Sequence, residues 1–148
     1  MEKLNSIDEV LDLAIDREIE ARDFYMKLAD LVENPEMVKV LSDLASEELE
    51  HKAKLEAIKA AGEIGMAKEA VGNLCITYHV KDVKPYAKMN YVDLLVVGMK
   101  KEEASRKLYT DLATIAQKQE VKDIFLKLAQ EEAEHKLRFE IEYDLMTF

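Results

Sequence analysis

The sequence predicts an all-α protein: four helices in two antiparallel pairs, joined by a long crossover. Three observations carry that prediction. Helix breakers are scarce, with two prolines and four glycines in 148 residues rich in Leu, Ala, Glu and Lys. Core-type residues step by four and three along four separate segments, the period of a helix with one inward face. The chain also repeats itself: LASEELEHK around residue 48 returns as LAQEEAEHK around residue 132, 84 positions on. The same offset carries Glu18 onto Glu102, Arg22 onto Arg106, Tyr25 onto Tyr109 and Leu28-Ala29 onto Leu112-Ala113. One domain over residues 1–148 is expected, with helices at about 7–33, 36–61, 91–117 and 121–146 and a crossover at about 63–89.

Ser6 is positioned to cap the first helix, with Glu9 at the capping-box spacing. Its inward stripe runs Ile7, Leu11, Ala14, Glu18, Ala21, Tyr25, Leu28, Val32, apolar or aromatic but for one carboxylate. Asn34 and Pro35 end that helix and open the next, as a cap and a first-turn proline do. So short a connection makes the first two helices antiparallel neighbours. The second stripe is Met37, Leu41, Leu44, Glu48, His51, Leu55, Ile58. Glu47 and Glu50 fall off it, which assigns Glu48 rather than Glu47 to the interior.

Gly62 and Gly65 close the second helix, and Cys75 to Val80 reads as locally extended. A connection of about 27 residues can run the length of a helix roughly 40 Å long, so the third helix can start at the far end of the bundle. His79 lies in this crossover and reads as a surface or packing histidine. Asn90 caps the third helix, whose stripe is Tyr91, Leu95, Gly98, Glu102, Ser105, Tyr109, Leu112, Ala116. After a tight turn at 117–120, the fourth runs Val121, Phe125, Leu128, Glu132, His135, Phe139.

Composition excludes several classes. The net charge of −10 argues against a general nucleic-acid binder and against an anionic membrane surface. A lone cysteine, Cys75, cannot form an internal disulfide or a four-cysteine metal site and fits a reducing cytoplasm. The N-terminus has no signal-peptide core, and no apolar run approaches membrane-spanning length. The expectation is a cytoplasmic protein with no nucleic-acid or membrane partner.

Four glutamates and two histidines thus fall on inward stripes near mid-helix: Glu18, Glu48, His51, Glu102, Glu132 and His135. Bare carboxylates in a bundle core are costly and must be compensated. Two divalent metals carry four positive charges, which balances four glutamates with neutral histidines. Carboxylate and imidazole donors suit iron or manganese. A single Glu-x-x-His in a Glu-rich helix is weak and usually marks a solvated face. Two copies, each on a core stripe and each preceded 30 residues earlier by another inward Glu, favour metal. The competing arrangement is an interior of buried Glu–Arg pairs using Arg22 and Arg106. Tyr25 and Tyr109 follow Glu18 and Glu102 by seven residues on the same face. They read both as core packing and as donors to a ligating carboxylate.

The segments Glu18 to Tyr25, Glu48-x-x-His51, Glu102-x-x-Ser105-Arg106-x-x-Tyr109 and Glu132-x-x-His135 resemble the ferritin-like superfamily and, within it, the rubrerythrin di-iron domain. One Glu from each of two helices, with Glu-x-x-His from the other two, is the ligand pattern of ferritin-like di-iron and di-manganese proteins. The resemblance implies a ferritin-like four-helix bundle with two iron ions, manganese being possible. The six residues would be metal ligands, Glu48 and Glu132 the bridges, and Tyr25 and Tyr109 supporting catalytic groups. It implies a peroxide- or dioxygen-reducing oxidoreductase. Rubrerythrins would carry a further glutamate where this chain has Ser105, and a four-cysteine rubredoxin domain that this sequence does not contain. An external electron donor such as a rubredoxin-like protein is therefore expected. The alternatives are a ferritin-like ferroxidase or iron-storage protein, manganese catalase chemistry, and a non-catalytic metal-stabilised bundle. A homodimer is the default assembly.

Overall fold

The computed structural model describes residues 7–61 and 89–148. Among them are four helices: α1 (Ile7–Leu31), α2 (Pro35–Ala60), α3 (Tyr91–Ile115) and α4 (Gln119–Thr147). Ser6, the crossover, Cys75 and His79 lie outside the described residues.

Local chemistry sets the helix starts. The Asn34 side chain accepts from the Glu36 N–H at 2.9 Å, and Pro35 occupies the first turn of α2, where its missing N–H costs nothing. The Asn90 side chain accepts from the Asp93 N–H at 2.8 Å. Helix α4 begins at Gln119 with no side-chain cap, so packing rather than capping holds that end.

Helix α1 lies along α2 and α3 along α4, and the pairs meet chiefly through α1 and α3. The apolar residues separate into two clusters, one at each end. Val10, Leu11 and Ala14 at the start of α1 meet Leu55 and Ile58 at the end of α2, Leu108 and Leu112 late in α3, and Phe125 and Leu128 early in α4. At the opposite end Tyr25 and Leu28 pack with Met37 and Leu41, Leu94 and Leu95, and Phe139. These memberships make α1 antiparallel to α3. They also put the end of α2 and the start of α3 at opposite ends of the bundle. That placement of the helix ends is the one a ferritin-like four-helix bundle has.

The buried face of each helix is wider than a single stripe, because Val10, Phe24, Ala45, Leu94, Val97, Leu108 and Ala129 flank it. Each large apolar side chain so buried contributes about 1.5–3 kcal/mol. Close approach matters at Gly98, where a β-carbon would sit 3.3 Å from the Phe139 ring. No described helix is long and apolar enough to cross a membrane. Between the two apolar ends lies a belt of polar side chains.

Candidate metal centre

All six inward residues read from the sequence meet in that belt. Glu18, Glu48, His51, Glu102, Glu132 and His135 are each at most 3% exposed. They form two overlapping groups whose ligand-type atoms lie within 4.8 Å of one another. Glu18, Glu48, His51 and Glu132 make one; Glu48, Glu102, Glu132 and His135 make the other. Glu48 and Glu132 belong to both. The helix period explains why the set converges: residues three apart on α2 and on α4 share a face, and the antiparallel pairs bring all four faces to one level.

Both oxygens of Glu48 and of Glu102, Glu18 Oε2, Glu132 Oε1, and Nδ1 of His51 and His135 are buried without a hydrogen-bond partner. His51 Nδ1 stands 2.7 Å from Glu132 Oε1 and 3.4 Å from Glu18 Oε2. Likewise, His135 Nδ1 stands 2.7 Å from Glu48 Oε1 and 3.5 Å from Glu102 Oε1. Buried polar atoms are normally satisfied, so this convergence fits a pair of divalent cations held by oxygen and nitrogen. The donors are hard or intermediate, without thiolate, which matches iron or manganese.

Burial and neighbouring charges set where the protons of this cluster sit. Burial is the largest influence on every group in the cluster. It pushes Glu102 up to about 8, with the Glu132 carboxyl beside it opposing the rise and Glu18 adding to it. Glu132 and Glu48 are raised well above the carboxylate range by burial and by neighbouring carboxylates. Burial would lower His51, yet Glu132 and Glu18 overcome it and raise the ring to about 12. Glu48, Glu132 and Glu47 outweigh burial at His135 and raise it to about 9. Glu18 goes the other way: burial acts against its charge, but Glu48, His51 and Tyr109 hold it below its usual value.

Two further residues enter that lie off the inward stripes. The outer nitrogen of each histidine is held by a carboxylate from the facing helix. His51 Nε2 pairs with Glu131 Oε2 at 2.7 Å, and His135 Nε2 with Glu47 Oε2 at 2.6 Å. A carboxylate only accepts, so Nε2 carries a proton, and once Nδ1 gives up its own proton the lone pair there faces inward. The two rings stack, centroids 5.9 Å apart and 10° from parallel. A signal for this clasp was in the sequence: both copies read Glu-Glu-x-x-His, with the first Glu at 47 and at 131.

The tyrosines differ from each other. Tyr109 donates to Glu18 Oε1 on the opposite helix pair rather than to Glu102 on its own helix. Seven residues span about 10 Å of helix rise, too far for a same-helix bond, whereas antiparallel α1 is close alongside. Tyr25 is fully buried against Phe24 and Phe139, and its hydroxyl makes no hydrogen bond. The arginines stay outside the belt. Arg22 pairs with Asp23 at 3.2 Å, and Arg106 with Glu103, which Lys136 also reaches. Arg106, then Lys136, holds Glu103 down to about 2 despite burial. An interior of Glu–Arg pairs is therefore not what the fold contains.

Fold and site together define a ferritin-like bundle with a carboxylate–histidine metal site at mid-height. A family model for rubrerythrin matches residues 9–90 and 93–146, and the chain belongs to the rubrerythrin family. Among solved structures it is similar to a hypothetical protein, Pfu-1136390-001, from Pyrococcus furiosus. The TM-score is 0.74 at 26% identity, over 95% of this chain and 89% of that one. Comparison with curated proteins gave no match.

Proposed function

We propose that this protein is a di-iron carboxylate oxidoreductase that reduces hydrogen peroxide, or dioxygen, with electrons from an external donor such as a rubredoxin-like protein. The observation that carries this reading is the pair of ligand groups sharing Glu48 and Glu132. Glu18, Glu48, His51 and Glu132 would hold one cation, and Glu48, Glu102, Glu132 and His135 the other. Two ferrous ions would supply the two electrons that, with two protons from solvent, convert one hydrogen peroxide to two waters, and would polarise the oxygen being reduced.

The chain's own residues do the rest. The apolar clusters at both ends keep bulk water from the belt. Glu131 and Glu47 fix the imidazoles so that Nδ1 faces inward. The Tyr109 hydroxyl holds Glu18 in place and keeps a proton next to the site. Burial leaves Glu102 ready to take up a proton near neutral pH when it is not bound to a cation. A homodimer is the assembly proposed, on frequency alone.

Stopped-flow absorbance of anaerobically Fe(II)-loaded protein tests the reading. Faster oxidation by peroxide than by dioxygen, with about two irons per peroxide, is the expected result. The reverse preference would move the assignment to a ferroxidase. Unchanged peroxide reduction in a Glu132→Ala variant would sink it.

A further inference from the structure

The centre is walled on most sides. Apolar clusters close both ends of the bundle. On the α2–α4 side stand the stacked rings of His51 and His135 with their Glu131 and Glu47 partners. The α1–α3 seam differs. There a cavity of about 10 Å³ lies directly against the Glu102 side chain, walled by Ala21, Ala104 and Ser105. Its mouth is formed by Arg17, Glu20 and Lys101, of which Glu20 is exposed and the other two half-buried. A space of that size takes about one water-sized molecule.

The two ends of the centre are also held unequally. Glu18 is fixed by the Tyr109 hydroxyl. Neither oxygen of Glu102 has a hydrogen-bond partner, and Glu102 alone of the six lines the cavity. A carboxylate without a hydrogen-bond anchor thus stands where the fold opens.

We propose that the α1–α3 seam between Ala21 and Ser105 is the access port for the oxidant, and that it delivers a slender molecule to the metal position of Glu102 and His135 rather than to that of Glu18 and His51. The small side chains set the bore. Hydrogen peroxide, dioxygen or azide passes end-on, whereas a branched alkyl hydroperoxide meets the Ala21 and Ser105 walls. This inference rests on the two-metal reading above.

The probe is azide added to Co(II)-loaded protein, followed by visible absorption, beside Co(II) stoichiometry. Wild type should take up two Co(II) and show an azide-dependent spectral change. Ser105→Leu and Ala21→Leu should keep both Co(II) yet bind azide at least about tenfold more slowly in stopped-flow mixing, because the added side chain fills the bore. Ala57→Leu, on the exposed face of α2, should bind azide as fast as wild type does. An azide binding rate unchanged in both port variants, with two Co(II) in place, overturns the proposal. Ser105→Gly tests it from the other direction, even if a leucine variant loses its metal. Widening the port should speed oxidation of the Fe(II)-loaded protein by tert-butyl hydroperoxide about tenfold relative to hydrogen peroxide, and an unchanged ratio overturns the port. Wild-type protein that takes up no Co(II) overturns the two-metal reading itself, and the port with it.

Discussion

Metal loading should release protons in a number the structure sets. At pH 7 the metal-free cluster holds protons on His51 (about 12), His135 (about 9) and most of Glu102 (about 8). Glu48 and Glu132 are raised in the same direction, well above the carboxylate range, by burial and by neighbouring carboxylates. Two divalent cations need the same atoms as lone pairs. Binding both ions should therefore expel at least about three protons per chain at pH 7, and the overall affinity should climb by at least about three powers of ten per pH unit there. Near pH 10 Glu102 and His135 have already lost theirs, so the release should be about two protons smaller. Titration with Mn(II) in weakly buffered solution with a pH indicator counts the protons directly. Calorimetry in buffers of different ionisation enthalpy gives the same count independently. Release of less than about one proton at pH 7 with both ions bound, or a release that does not fall toward pH 10, would refute the argument that protons stand in for the metals.

The same groups predict how the metal-free fold responds to pH. His135 is raised above its unfolded value of 6.5, so its contribution is complete below pH 6.5 and lost as pH rises through 9, about 3 kcal/mol in all. Glu102 is raised from 4.5, so its cost is absent below pH 4.5 and complete above pH 8, about 5 kcal/mol. Both signs agree: the Tm of metal-free protein should fall from pH 6.5 to 9 while that of the loaded protein stays level, and a level metal-free Tm would contradict the assignment. Glu131→Gln and Glu47→Gln should each weaken metal binding about 10- to 100-fold. Competition with a chelator should show the larger loss at Glu131, whose side chain is 24% exposed against 48% for Glu47. Tyr109→Phe strips the donor from buried Glu18 and should cost the fold about 1–3 kcal/mol in denaturant titration. Tyr25→Phe removes a hydroxyl that bonds to nothing and should be neutral or stabilising in the same measurement.

Helix periodicity alone determined a great deal. A 3.6-residue repeat states which way each side chain faces relative to its helix axis, so Glu18, Glu48, His51, Glu102, Glu132 and His135 could be placed inward from spacing. The internal repeat added that the two halves face each other as equivalents, which is why a single metal-binding belt is legible in the residue pattern itself. Periodicity carries no information about what stands opposite. The clasp from Glu131 to His51 and from Glu47 to His135 joins residues 80 and 88 positions apart on different helices. Glu47, judged by its own helix, belonged to the solvent face. Tyr109 shows the same limit: its spacing set it on the face of Glu102 without naming the carboxylate it meets, and the antiparallel packing of α3 on α1 delivers its hydroxyl to Glu18. The repeat also implied two equal halves, whereas packing leaves Glu102 unanchored beside a cavity and Glu18 held. Only the tertiary structure decides these matters, because they depend on how far one helix slides and turns against another. That is fixed by the fit of side chains such as Gly98 against Phe139, not by the pattern of either helix.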